Sequence, residues 1–500
     1  MTDSRRGDLS RGLFLAASAS TGVLGSMQLV AADESTPAQA PSAAVPPIDP
    51  ARAIAAFATG FDAGSLSPLA VQRANLAFID SLGVMLAGSR SEPAHIMTEM
   101  VREEGAAPRT TIAGRSLKSS AQLAALANGV ALHALDYDVT TTAGQPTAAL
   151  FPALLAIAEG HHSTPAEVFA AYIIGFEVAL RLLRACPSFT SKTGWHSTGT
   201  IGTIAAAVAC AKLLKAKPEA IVEAIGISSS LAAGLAVNFG TMTKPLHAGS
   251  AARNGVMAAV LATRGFTGSA VALGGANGYY VDFFRDLDWS FAPFGDLGHR
   301  YDLVEIGFKV KPYACGGLAH TAIDAALAVR SMLGGHIDQI AEVRVGVTNQ
   351  AAKYVSTSYP STIERAKFSV PYVIATSFVN GTPRLSTFTD AAVADPRVKA
   401  FAAKISAAPD PEFATSVDPN PARIVAVLND GKRVESLIKN PIGSTQVPMS
   451  KEQIEAKFLD CAVPTLDLVT ARHTFATWQS LSTQASFASL WPVLHRPDAG

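Results

Sequence analysis

The chain has 500 residues, of which 49% are hydrophobic and 16% are charged. Two domains are expected, because a single hydrophobic core stops growing at a shorter chain length than this. Its formal net charge is zero and it has neither a Lys/Arg run nor a basic–aromatic stripe, so no nucleic-acid partner is expected. Its four cysteines are widely spaced without a C-x-x-C pair, which argues against a disulfide framework and a structural zinc site.

The N-terminal segment differs from the rest of the chain. Arg5, Arg6 and Arg11 precede a mildly apolar run, which small residues and then a Pro/Ala/Ser stretch follow. This order predicts a signal peptide of twin-arginine type over residues 1–32 and a disordered linker over 33–50. The expected location is therefore periplasmic, or cytoplasmic if the signal is not used. No stable membrane insertion is expected.

A succession of helices is predicted after this segment. Ser67 and Pro68 offer an N-cap and a proline at the first helical position, and the residues that follow carry the apolar period of a packed helix. Gly265 stands where a C-cap glycine belongs. The helices between these two points are predicted over 120–133, 148–161, 165–185, 201–214, 218–232 and 249–264.

The pattern changes near residue 305. Valines at 343, 345 and 347 alternate with polar or small residues, as in a half-buried strand. Residues 424–434 predict a hairpin with an Asp-Gly turn, and a helix is predicted over 320–333. Ser450 begins a capping box, so the C-terminal part returns to helix.

The predicted fold class is therefore mostly α with an α+β lid. Residues 51–305 and 441–500 are expected to form one large all-helical domain. A smaller α+β domain over 306–440 is inserted between them.

The stretch from Trp195 to Thr263 is the most informative for function. A polar group leads into an Ala-rich helix at each end, His196 at the first and Lys244 at the second. Small residues let helices pack closely, and Ser/Thr/Gly-rich helix starts leave backbone N–H groups free. A histidine and a lysine at such places indicate a pocket for an anion with a group that transfers protons.

Five ordered stretches resemble the MmgE/PrpD family, and the likeness covers most of the chain after about residue 52. The stretches are His133–Asp138, the His196 segment running to Leu214, Lys244–Gly249, Lys311–Cys315 with His320–Ala325, and Ala366–Tyr372. The resemblance implies a homodimer, an active site in the cleft between two domains, and chemistry without a metal or cofactor. Known members include 2-methylcitrate dehydratases, cis-aconitate decarboxylases and an iminodisuccinate epimerase.

These reactions share one physical problem, which is that charge develops beside a carboxylate. His196 is the predicted general base or acid, because its unperturbed pKa of about 6.5 lies near working pH. Lys244 and Lys311 are predicted to hold substrate carboxylates and the enediolate-like intermediate by charge-assisted hydrogen bonds. Without the resemblance, a structural histidine and solvated surface lysines are the simpler interpretations.

Asp136 and Tyr372 complete the predicted catalytic set. Asp136 follows His133 by three residues, so the two would share one face of a helix. Two such residues make a poor metal site, and Asp136 is predicted to orient a base or to bond a substrate hydroxyl. Tyr372 is predicted to donate from the lid, with a core aromatic as the alternative. The predicted substrate-binding residues are Thr140, Gln145, His247 and His320.

Two residues depart from the family pattern. Val139 stands where an aspartate is expected, and Gln145 stands where the histidine of a His-Pro pair is expected. Glutamine hydrogen-bonds but does not exchange protons, so decarboxylation by the route of the decarboxylase branch is not expected. Residues 314–319 are also altered, which indicates a pocket of different shape and hence a different substrate.

The sequence thus predicts a metal-independent hydro-lyase that acts at the carbon alpha to a carboxylate of a small polycarboxylic acid. Dehydration of the 2-methylcitrate type is the first hypothesis. Epimerisation is the second because it needs no leaving group, and decarboxylation is a further alternative. A carboxylate-binding protein with weakened catalysis and a structural, partner-binding helical protein are the alternatives from other classes.

Overall fold

A computed structural model describes residues 48–62, 64, 66–416 and 420–496 of the chain. These residues fall within one compact unit. The predicted signal peptide (1–32) and nearly all of the predicted linker (33–50) lie outside the described residues. Export and location therefore stay predictions, as do the domain boundaries.

The described part of the chain is built mainly from helices, which agrees with the predicted fold class. The helices are α1 (Pro50–Gly60), α2 (Pro68–Gly88), α3 (Glu92–Glu104), α4 (Ala121–His133), α5 (Thr147–His161), α6 (Pro165–Ala185), α7 (Phe189–Lys192), α8 (Ser197–Leu213), α9 (Pro218–Leu231), α10 (Thr243–Thr263), α11 (Tyr279–Phe283), α12 (Asp302–Glu305), α13 (His320–Met332), α14 (Asn349–Tyr354), α15 (Ile363–Ala366), α16 (Val370–Val379), α17 (Asp390–Val393), α18 (Pro396–Ala402), α19 (Lys451–Leu466), α20 (Leu468–Gln479) and α21 (Trp491–Leu494). The strands are β1 (Thr110–Thr111), β2 (Lys118–Ser119), β3 (Ile340–Val347), β4 (Ile405–Pro409), β5 (Ala422–Leu428) and β6 (Arg433–Ile438).

Local signals explain several helix ends. Ser67 Oγ accepts a hydrogen bond from the backbone N–H of Ala70 and caps α2. Ser450 and Gln453 form the predicted capping box at the start of α19. Gly265 has a φ of +88° just beyond α10, as expected of a residue that ends a helix.

Two helices begin earlier than predicted, and both matter for the site. Helix α8 begins at Ser197 and not at 201, and α10 begins at Thr243 and not at 249. Ser, Thr, Gly and Pro have low helix propensity, but burial overrides propensity and proline is tolerated in a first turn. His196 is consequently the N-cap residue of α8, and Lys244 lies in the first turn of α10.

The four-stranded sheet confirms the predicted hairpin. Its order is β4-β3-β5-β6, in which β3 pairs parallel with β4 and antiparallel with β5, and β5 pairs antiparallel with β6. The β5–β6 turn contains Gly431 at a φ of +84°. Helix α13 packs against β5, β6 and α16, so residues 320–438 form the α+β part of the molecule.

Glycines let α4 and α10 cross in close contact. A Cβ added to Gly129 would lie 2.6 Å from Gly249 Cα, and one added to Gly249 would lie 2.4 Å from the Leu126 carbonyl oxygen. Neither position therefore accepts a side chain. This crossing brings the last residue of α4, His133, beside Lys244 in the first turn of α10.

Among the described residues, α2 is long and apolar enough to cross a membrane by length and composition. Within the fold, 67% of its most apolar window is buried. It packs against α4 and α19, as the core helix of a globular protein does.

Candidate active site

A cavity of about 290 Å³ lies where the ends of α4, α8 and α10 meet the segment that contains Lys309 and Lys311. Two backbone hydrogen bonds join Thr140 to Lys309 in an antiparallel bridge and bring that segment to the loop after α4. Six of the nine predicted site residues line the cavity, and they are Asp136, Thr140, Gln145, His196, Lys244 and Lys311.

The Asp136 carboxylate contacts three polar side chains that line the cavity. Its Oδ1 lies 2.7 Å from Lys244 Nζ, 3.0 Å from Lys311 Nζ and 3.1 Å from Gln145 Nε2. The prediction that Asp136 shares a helix face with His133 is wrong, because α4 ends at His133 and Asp136 has a left-handed φ of 48°. The turn points the carboxylate at two lysines from distant parts of the chain.

The lining of the cavity favours an anion. Three lysines, at positions 244, 309 and 311, line it, and Asp136 is the one acidic residue in the described lining, which leaves a formal charge of +2 (three minus one). Burial works to raise the pKa of Asp136, but Lys244 and Lys311 together hold that pKa well below its usual range, so the carboxylate stays ionised. Burial also lowers the pKa of Lys244, an effect that Asp136 opposes.

The surroundings of His196 keep its imidazole neutral. Burial, together with Lys244, lowers the pKa of His196 well below its ordinary value, so the imidazole is neutral near pH 7. Its Nδ1 lies 3.0 Å from His247 Nδ1. One of these two nitrogens carries the hydrogen and donates it, and the other accepts. A neutral ring that lines the cavity can accept a proton from a bound ligand.

Gln145 joins two carboxylates. Its Nε2 donates to Asp136 Oδ1 at 3.1 Å and to Asp138 Oδ1 at 3.0 Å, and its backbone N–H donates to Thr198 Oγ1. Both amide hydrogens are therefore committed to the protein. The residue positions acidic groups and has no proton to exchange.

Three predicted residues do not line the cavity. His247 lies behind His196, and His320 lies behind Lys311, where its Nε2 contacts the Cys315 carbonyl oxygen that Lys311 also bonds. Tyr372 is fully buried on α16, and its hydroxyl donates to the Thr387 carbonyl. Tyr372 therefore packs as a core aromatic, the alternative interpretation of this residue, and His247 and His320 contact their neighbours from outside the cavity lining. The predicted roles of these three residues stay predictions.

Asp138 and Lys367 lie next to the residues that line the cavity, and no role was predicted for either from the sequence. Asp138 Oδ1 lies 3.1 Å from His133 Nδ1, and Lys367 Nζ donates to the Ala134 carbonyl at 2.8 Å. Asp138 follows Asp136 by two residues. The closely spaced polar residues after the buried end of α4 were the sequence signal that could have identified Asp138. Lys367 belongs to another part of the chain, and only the fold brings it here.

His133, Asp136 and Asp138 present ligand atoms close enough together for a metal ion. The Lys244 ammonium already lies within 3.0 Å of His133 Nε2 and 2.7 Å of Asp136 Oδ1. A divalent ion would have to displace this ammonium, which fits the prediction of metal-independent chemistry without testing it.

Acid is expected to destabilise the fold, because the buried histidine His320 resists protonation. Burial lowers the pKa of His320 to about 3, whereas an unfolded histidine titrates near 6.5. Between these values the unfolded chain binds more protons, so the free energy of unfolding falls by about 1.4 kcal/mol per pH unit for this residue as pH decreases. Urea denaturation from about pH 7 to about pH 4 measures the slope. His320→Gln is expected to make it shallower, and an unchanged slope contradicts the assignment.

Two sequence profiles of one family match the chain. The MmgE/PrpD N-terminal domain matches residues 52–292, and the MmgE/PrpD C-terminal domain matches residues 313–481. The chain is 28% identical to the cis-aconitate decarboxylase of Homo sapiens over 420 residues (80% of this chain, 86% of that protein). It is 28% identical to that of Mus musculus over 415 residues (80% and 84%). It is 27% identical to the cis-aconitate decarboxylase-like protein oryM of Aspergillus oryzae over 452 residues (85% and 92%).

Proposed function

The chain belongs to the MmgE/PrpD family and is a lyase, and from this premise we propose that it acts at the carbon alpha to a carboxylate of a small polycarboxylic acid. The first candidate reaction is dehydration of a hydroxy-polycarboxylate. The observation that carries the proposal is the convergence of His196, Lys244 and Lys311 on one cavity.

The geometry divides the work between a base and a cationic surface. His196 is neutral and takes the proton from the alpha carbon. The positive charge of the lysines that line the cavity attracts the carboxylates and stabilises the enediolate-like charge that develops when the proton leaves. Asp136 holds Lys244 and Lys311 in fixed positions, so their reorganisation during the reaction is small.

Decarboxylation is the second candidate because the relatives named above are cis-aconitate decarboxylases or resemble them. Gln145 weighs against it, since this residue stands where the family pattern has a histidine and carries no transferable proton. Identity below 30% leaves room for a changed reaction at the same site.

Incubation of the purified protein with methylcitrate, citrate, cis-aconitate and iminodisuccinate in deuterated buffer tests the proposal. An ultraviolet-absorbing alkene formed from a hydroxy acid is the expected result. Carbon dioxide release from cis-aconitate would select decarboxylation, and deuterium uptake without an alkene would select epimerisation. A protein that binds these acids tightly with no turnover, and with no effect of His196→Ala on affinity, would instead be a carboxylate-binding protein.

Lys244→Ala is expected to lower kcat/KM by about 10³-fold, because it removes a desolvated charge at the reacting centre. The assay is the initial rate on the substrate found in that screen. Lys353→Ala, which removes a lysine outside the cavity lining, is the matched control and should retain activity. Wild-type rates for Lys244→Ala would contradict the proposed site.

We propose a homodimer on the family resemblance alone. Sedimentation of the purified protein tests it.

A further inference from the structure

Lys244 lies at the end of a buried chain of polar side chains. Its Nζ is 3.0 Å from His133 Nε2, and on the other side of the imidazole His133 Nδ1 is 3.1 Å from Asp138 Oδ1. The side chains of His133 and Asp138 are fully buried, and neither lines the cavity.

The direction of these hydrogen bonds follows from the chemistry of the groups. An ionised carboxylate only accepts, so His133 Nδ1 carries the hydrogen and Nε2 keeps its lone pair. Nε2 therefore accepts from the Lys244 ammonium. Of the three ammonium hydrogens, Asp136 and His133 take two, and one remains for the cavity that Lys244 lines.

We propose that His133 and Asp138 are positioning residues that keep Lys244 protonated and oriented, so that Lys244 is the acid that protonates the leaving group. The inference rests on the proposed function. It supplies the second acid–base group of that reaction, which Gln145 cannot be.

The surroundings of Lys244 suit an acid. Burial lowers its pKa, so its proton is easier to release than that of a surface lysine, while Asp136 and Asp138 oppose this shift. The ammonium lies 2.7 Å from Asp136 Oδ1, the distance of an ion pair. The charged or titratable groups that interact with this ammonium are Asp136, Asp138, His133, His196, His247, Lys311 and Lys367.

The protons balance over one dehydration. The C–H bond at the alpha carbon breaks, its proton goes to His196, and its electron pair forms the alkene as the C–O bond breaks. The departing hydroxyl takes the C–O electron pair and a proton from Lys244, whose N–H electrons stay on Nζ, and leaves as water. One proton then passes from His196 to Lys244 through solvent and restores both groups.

Variants of the two positioning residues test the inference in the full-length protein. His133→Leu is expected to lower kcat about 100-fold with KM changed less than about threefold. In both His133→Leu and Asp138→Asn, the basic limb of the kcat–pH profile should move to lower pH, because the pKa of Lys244 falls. The first variant removes a hydrogen-bond acceptor from Lys244, and the second removes a neighbouring negative charge. His133→Gln keeps an acceptor oxygen and should recover at least about tenfold over His133→Leu. The exposed His161→Gln is the control and should match the wild type.

A second measurement does not depend on turnover. Calorimetric titration with tricarballylate near pH 8, where carboxylic acids are ionised, in buffers of different ionisation enthalpy counts the protons taken up on binding. His133→Leu should take up more protons than the wild type, because more of its Lys244 is neutral before the trianion binds. Binding with equal proton uptake and an unshifted basic limb would overturn this inference alone. No binding to the wild type would overturn the proposed function and this inference with it.

Discussion

Replacement of His196 by asparagine is expected to lower kcat by about 10²–10⁴-fold with little change in KM, because the base at the alpha carbon is lost. The substitution is structurally mild. His196 is the N-cap residue of α8, its side chain makes no capping hydrogen bond, and asparagine is a favoured N-cap residue. Initial rates and the exchange of the substrate alpha proton with deuterium measure the effect.

The exchange experiment gives the sharper result for His196. If His196 takes the proton, alpha-carbon exchange and product formation fall together in the variant. His162 lies at the end of α5, away from the cavity lining, and His162→Asn is the matched control. Exchange at the wild-type rate in His196→Asn would assign the base to another group.

Lys457→Met is expected to destabilise the fold by about 3–5 kcal/mol, which is the usual effect of breaking a buried ion pair. Lys457 on α19 contacts Asp80 Oδ1 on α2, donates to the Tyr137 carbonyl at 2.9 Å, and lies 4.0 Å from the centre of the Tyr137 ring. Burial raises the pKa of Asp80, so without Lys457 this carboxyl would be an unpaired group in the core.

Urea denaturation at neutral pH measures this loss, with the exposed Lys451→Met on the same helix as the control. The double variant Asp80→Asn/Lys457→Met should regain part of the stability, because it leaves no buried charge unpaired. Activity should also fall in Lys457→Met, since Tyr137 adjoins Asp136. A wild-type denaturation midpoint for the single variant would contradict the pairing.

The positions of the helices and of the hairpin were predictable because their signals are local. Caps such as Ser67 and Ser450, and the Asp430-Gly431 turn, act within a few residues of the elements they delimit. The helix starts at Ser197 and Thr243 were less predictable, because burial in tertiary contacts decided them against propensity.

By itself, the sequence determined the fold class and the family resemblance, and it predicted His196, Lys244, Lys311 and Asp136 as site residues. Tertiary structure alone decided which polar groups meet, since a buried hydrogen bond depends on where distant segments cross. The contact of α4 with α10 at Gly129 and Gly249 brings His133 to Lys244. Packing in the α+β part likewise placed the Tyr372 side chain in the core. Its hydroxyl donates to a backbone carbonyl there, because a buried phenol needs a hydrogen-bond partner.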